Sequence, residues 1–208
     1  MRDVLHGIDP NRKRLYILCV SILPLMICTG MVYVILSVYM HDELEFSKTN
    51  IGILFALGAG TGVILAPFIG KASDKFGRKP VLAGSALAFL TVFTMYSIMT
   101  EEWQFVFIMM AEGTSWIAIG TAAAAYIADI SLSTERGRSM GVYEMTWNFG
   151  WVLGPLIGGI LSDIIGFQKT FLFGASIIII SVILIVAFTE ETAPAIMDKK
   201  MITADIEG

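Results

Sequence analysis

Apolar positions in this chain fall in long unbroken blocks rather than in the short alternations of strands or the one-sided stripes of surface helices. Residues 15–40, 51–70, 80–100 and 170–189 carry no charge at all, while 103–128 carry only Glu112 and 139–162 only Glu144. Crossing about 30 Å of hydrocarbon takes roughly 20 apolar helical residues. The pattern therefore predicts six transmembrane helices. The first block is too long for the apolar region of a signal peptide, and no small-residue cleavage site follows it. It is expected to remain as the first span.

The polar stretches between blocks are short, and their charge alternates. Arg2, Arg12, Lys13 and Arg14 precede the first span; Lys71, Lys75, Arg78 and Lys79 separate the second from the third. Arg136 and Arg138 follow the fourth, and Lys199 and Lys200 follow the sixth. Twelve of the fourteen basic residues thus share one side, while Lys48 and Lys169 stand on the other with Asp42, Glu43, Glu45, Glu101 and Glu102. The bias of Lys and Arg toward the cytoplasm puts both termini inside, as an even number of spans also requires. Three segments result: a cytoplasmic lead at 1–14, a bundle at 15–189 and a cytoplasmic tail or linker at 190–208.

Composition agrees with a lipid-embedded chain. Of the 208 residues 56% are hydrophobic and 15% charged, with mean hydropathy +0.75, against about 25% charged in soluble domains. A net charge of −4 excludes a strongly basic nucleic-acid binder. Cys19 and Cys28 lie nine residues apart in one span, roughly 13 Å along a helix axis and beyond disulfide reach. His6 and His41 are not spaced as a metal pair, and no cofactor is implied.

A pattern recurs within the chain. Gly62, Pro67, Gly70, Asp74 and Gly77 match Gly150, Pro155, Gly158, Asp163 and Gly166, at an offset of 88 residues for the first three pairs and 89 for the last two. Three spans separate the copies, so the second lies upside-down in the bilayer, the arrangement of an inverted 3+3 repeat. Each copy carries small residues at every fourth position: Gly58, Gly62, Ala66 and Gly70 in the second span, Gly150, Gly154, Gly158 and Ser162 in the fifth. Such stripes let helices approach closely in lipid. They serve either packing among the six spans or contact with a second six-helix unit.

The loop after the second span reads Gly70-Lys71-Ala72-Ser73-Asp74-Lys75-Phe76-Gly77-Arg78-Lys79-Pro80. It resembles motif A of the major facilitator superfamily, G-x-x-x-D-[RK]-x-G-R-[RK], with Ala72 in place of the usual Leu. Gly77 suits a tight turn, Pro80 the first turn of a helix, and Asp74 the positive N-terminal end of a neighbouring helix. The fifth span reads Gly150-Trp151-Val152-Leu153-Gly154-Pro155-Leu156-Ile157-Gly158-Gly159, similar to motif C of the drug/proton antiporter branch. Pro155 is expected to kink that span. The resemblance covers about residues 14–190. It implies an all-α membrane fold, the amino-terminal half of a major facilitator transporter. It also implies a conformational latch of Gly70, Asp74, Gly77, Arg78, Lys79 and Asp129, in which Arg78 pairs with Asp129; Arg136 and Arg138 are rival partners. In the family, motif B places a buried arginine before an acidic or amide position and a glycine. Here Met109 stands at the arginine's place, and the first span has no acidic residue.

Glu112 lies about nine residues into the fourth span, roughly 13 Å deep. An ionisable group there usually faces a cavity or the bundle interior, which suits a proton carrier or a cation-binding carboxylate. The structural alternatives are a glutamic acid hydrogen-bonded to a neighbouring helix and a side chain reaching outward to water. Trp116, Ala123 and Ile127 extend its face, and Tyr33 is placed to line the same cavity. Glu144, Trp147 and Asn148 on the fifth span are further candidates for substrate or proton coupling, although Glu144 also suits the helix's N-terminal end. Trp103, beside Glu101 and Glu102, reads as an interfacial anchor.

The leading expectation is a secondary transporter half. It would move a small solute by alternating access, with lipophilic or cationic solutes and a proton-coupled drug exporter among the candidates. Its partners would be the lipid bilayer, the solute, protons, and a second six-helix half. That half is either further sequence of a longer protein or a second copy in a parallel dimer. A non-transporting regulatory or assembly subunit on the same fold is the alternative. A membrane enzyme comes last, since no nucleophile–base pair, metal cluster or phosphate loop is visible.

Overall fold

The computed structural model describes residues 9–193. The basic residues Arg2, Lys199 and Lys200, and most of the 1–14 lead and 190–208 tail, lie outside the described residues. Among the described residues the chain forms six helices and no strand: α1 (Pro10–Asp42), α2 (Lys48–Phe76), α3 (Arg78–Ile98), α4 (Glu102–Ile130), α5 (Arg136–Ile165) and α6 (Phe167–Phe188). All six are long and apolar enough to span a membrane.

Most helices overrun their apolar blocks, because capping rather than hydropathy sets the ends. Asp9 accepts from the Asn11 N–H at 2.9 Å and Pro10 opens α1, so that helix begins five residues before the uncharged stretch. Ser47 caps α2 through the Asn50 N–H at 3.1 Å. Glu101 and Gln104 form a reciprocal capping box at α4.

Helix pairing follows a regular scheme. α1 packs on α5 and α6, α4 packs on α2 and α3, and α3 meets α6. Exchanging α1–α3 with α4–α6 leaves this list unchanged. The small-residue stripes make the tightest seams. A Cβ at Gly58 would stand 2.7 Å from the Met109 carbonyl oxygen, and one at Gly62 2.8 Å from that of Gly113. On the other side, Cβ atoms at Gly150, Gly154 and Gly158 would meet the α1 backbone at Met26, Ile27 and Met31 at 2.5–2.8 Å. Both stripes therefore serve packing within the bundle: backbone-to-backbone approach supplies the dispersion contact that lipid exclusion alone cannot.

α1 is the most enclosed element. Pro24 lies inside it, and next to it the N–H of Leu25 donates to Ser181 Oγ of α6 at 2.9 Å, a cross-helix bond beside the break in the ladder. By contrast, only 22% of the apolar window of α2 and 17% of that of α5 are buried, against 61% for α1. Val63, Ile64 and Phe68 on α2, and Val152, Leu156 and Ile160 on α5, form uncovered apolar faces.

Candidate functional site: a charged clasp and an aromatic face

At the basic-rich end of the bundle, Gly77 is at once the C-cap of α2 and the N-cap of α3, with φ 109° and ψ 159°. That backbone excludes ordinary side chains and reverses the chain without a loop. Arg78 follows directly and is 7% exposed. Its guanidinium donates to Asp129 Oδ2 at 3.0 Å, to Asp74 Oδ1 at 2.5 Å and to Ser73 Oγ at 3.2 Å. α2, α3 and α4 are thereby joined through one cation, and the Asp129 carboxylate at the α4 C-terminus has its counter-charge. Of the rival partners, Arg136 turns to the Ala128 carbonyl at 3.3 Å, and Arg138 is exposed. Asp74 is 70% exposed at its side chain, leaving one edge of the carboxylate free. Gly70 stands clear of close contact, with Thr121 as its nearest neighbour, and Lys79 is half-buried.

Glu112 is buried at 7% exposure, and its Oε2 accepts from Tyr96 Oη on α3 at 2.8 Å. Tyr96 stacks on Phe105 with ring centroids 6.0 Å apart. The carboxylate therefore reaches into the α3–α4 seam and bonds a neighbouring helix. Ala123 and Ile127 are fully buried. Trp116, one turn beyond Glu112, lies beside the same carboxylate and also faces the rings of α5.

There, aromatic rings form a connected chain across four helices. Trp116 of α4 meets Trp147 and Trp151 of α5 at 5.0 and 6.4 Å between centroids. Trp151 meets Tyr33 of α1 at 5.1 Å, and Tyr33 meets Phe55 of α2 at 5.5 Å. Tyr33 is 43% exposed, so the chain borders open space. Glu144, Trp147, Asn148 and Trp151 follow one another at i, i+3, i+4 and i+7, one face of a helix. Glu144 and Asn148 are exposed on it, with the Asn148 amide donating to the Glu144 carbonyl at 2.7 Å. Aromatic faces beside carboxylates suit flat or cationic organic solutes. Elsewhere on α5, Gly150, Gly154 and Gly158 seat α1, while Pro155 is half-buried and Gly159 has open space around it.

Sequence reasoning brought Tyr33, Trp116 and Trp147 to this face, and it missed Phe55 and Trp151. Trp151 was legible in principle, one turn from Trp147. It also missed Tyr96, the partner of Glu112, for which no local signal exists.

Six helices long and apolar enough to cross a membrane, with a bridged turn between the second and third and a partly exposed aromatic face, define a multi-pass all-α membrane fold. Comparison with known proteins gives the family. Residues 18–204 match the Major Facilitator Superfamily model, and the chain belongs to that superfamily. It is 30% identical over 184 residues to the class H tetracycline resistance protein of Pasteurella multocida, covering 88% of this chain and 45% of that protein. It is 28% identical over 183 residues to multidrug resistance protein 2 of Bacillus subtilis, with the same coverage of each. The chain thus spans about half the length of the curated relatives it matches. Its fold is similar to that of the human organic anion transporter MFSD10, with TM-score 0.71 and 17% identity over 89% of this chain and 49% of that one.

Proposed function

We propose that this chain is the amino-terminal half of a secondary transporter that exports flat, lipophilic or cationic organic solutes by alternating access. The observation that carries the reading is the aromatic chain Phe55–Tyr33–Trp151–Trp116–Trp147, bordered by Glu144 and Asn148 on a face that the six helices leave uncovered. A second six-helix unit over α2 and α5 would close that face into a cavity, and their bare apolar surfaces fit such a neighbour. The Asp74–Arg78–Asp129 bridge acts as the latch, with the free edge of Asp74 available to a helix N-terminus of the second unit. The helix pairing supports the inverted 3+3 repeat, and the basic bias supports cytoplasmic termini. Glu112 acts as the titratable group behind Trp116, with protons as the driving ion.

Everted vesicles test this directly. The chain is expressed alone and together with whatever its gene encodes beyond Gly208, and proton-driven uptake of tetracycline and of ethidium is measured. Uptake in either form, lowered by Trp151→Ala, is expected. No flux of either dye or drug in both forms would overturn the proposal in favour of a non-transporting subunit.

A further inference from the structure

The first N–H groups of α3 have no capping side chain of their own, because the N-cap is Gly77. A carboxylate 113 residues downstream fills the gap. Glu191 accepts from the N–H of Arg78 at 2.8 Å and of Lys79 at 3.2 Å, and wraps its own chain by accepting from Thr192 and Ala193 at 3.0 and 2.9 Å. It fits only because residue 77 lacks a side chain; a Cβ there would overlap the Glu191 carboxylate. The residues on either side are tied down as well. Glu190 receives Arg14 of α1, Nε at 2.8 Å and Nη2 at 2.6 Å. Thr192 Oγ1 donates to Asp129 Oδ2 at 3.2 Å, the oxygen that Arg78 also holds. Thus three consecutive residues after α6 reach α1, α3 and α4. The corresponding turn at Gly166 has nearly the same backbone, φ 83° and ψ 164°, no side-chain cap and nothing near its Cβ position. The turn therefore does not need a carboxylate in order to form.

We propose that Glu191 is a positioning residue of the latch. Its carboxylate holds the start of α3, and with it Arg78, so that the segment Glu190–Ala193 after α6 and the Arg78–Asp129 bridge move as one unit. A pull on that segment is then transmitted to the latch, and closure of the latch draws the segment in. The role, though not the geometry, rests on the transporter reading above.

The test uses the full chain in lipid nanodiscs and reads amide hydrogen exchange at Arg78 and Lys79, together with thermal unfolding. Glu191→Ala should speed exchange at both amides about tenfold, the loss expected of a charged N-cap. Glu191→Gln, which keeps a carbonyl acceptor, should restore part of the protection. Arg78→Ala should lower the unfolding temperature less in the Glu191→Ala background than in the wild type. Unchanged exchange in Glu191→Ala, or strictly additive effects of the two substitutions, overturns the proposal. Ethidium flux is scored separately. A silent wild type with normal exchange effects counts against the transporter reading alone, whereas normal flux in Glu191→Ala counts against Glu191 alone.

Discussion

Two turns in this molecule share a backbone and little else. Gly77 between α2 and α3, and Gly166 between α5 and α6, both take positive φ with ψ near 160° and reverse the chain without a loop. Around Gly77 stand a buried arginine, two aspartates and the carboxylate of Glu191. Around Gly166 the matching positions are Asp163, Phe167 and Gln168, and Asp163 and Gln168 are exposed. A glycine turn is enough to reverse the chain, so the charges around Gly77 go beyond what the turn itself requires.

Breaking the furnished turn should be far more damaging than breaking the bare one. Arg78→Ala strands the carboxylate of Asp129 and should cost about 3 kcal/mol, in the range for one partner removed from a buried pair; Lys169→Ala, exposed beside the other turn, should stay within about 0.5 kcal/mol. Unfolding in mixed detergent–dodecyl sulfate micelles measures both. The glycines themselves give the next contrast. Gly166→Ala should cost about 1 kcal/mol for its positive φ alone, and Gly77→Ala about twice that, since its Cβ must also displace Glu191. Equal losses at the two sites would mean that the carboxylate is not held where the structure has it. Third, Asp74→Asn removes an exposed partner and should cost less than about 1 kcal/mol while slowing solute flux, and Asp163→Asn should change neither. A comparably small stability effect is expected at mid-bundle. Glu112→Gln keeps an oxygen for Tyr96 Oη, so thermal unfolding should barely move, but the pH dependence of flux should flatten. A mutant with a wild-type pH profile would remove Glu112 from the coupling role.

The spans were readable from hydropathy because lipid imposes a minimum length, and the ends read there differ from the helices by one to six residues, mostly short of them and slightly beyond them at the ends of α3 and α6. Arg78 and Asp129 could be associated because the motif around Gly77 is written in consecutive residues. Glu191 could not: its partners are backbone N–H groups, which leave no trace in side-chain identity, and the chain separation is over a hundred residues. Tyr96 and Glu112 are only 16 residues apart but lie on different helices, and their pairing depends on how α3 packs on α4, which no local pattern records. The stripes at Gly58–Gly62 and Gly150–Gly158 announced close packing plainly, but a four-residue period says nothing about which neighbour sits in it. The structure answers α4 and α1.

Those seams have a mechanical consequence. Where α2 rests on α4 and α1 on α5, main chain approaches main chain, with Ile117 and Met31 filling what space the glycines leave, so little room remains for either pair to slide. Close backbone seams of this kind resist shear between the helices they join, as a keyed joint resists sliding.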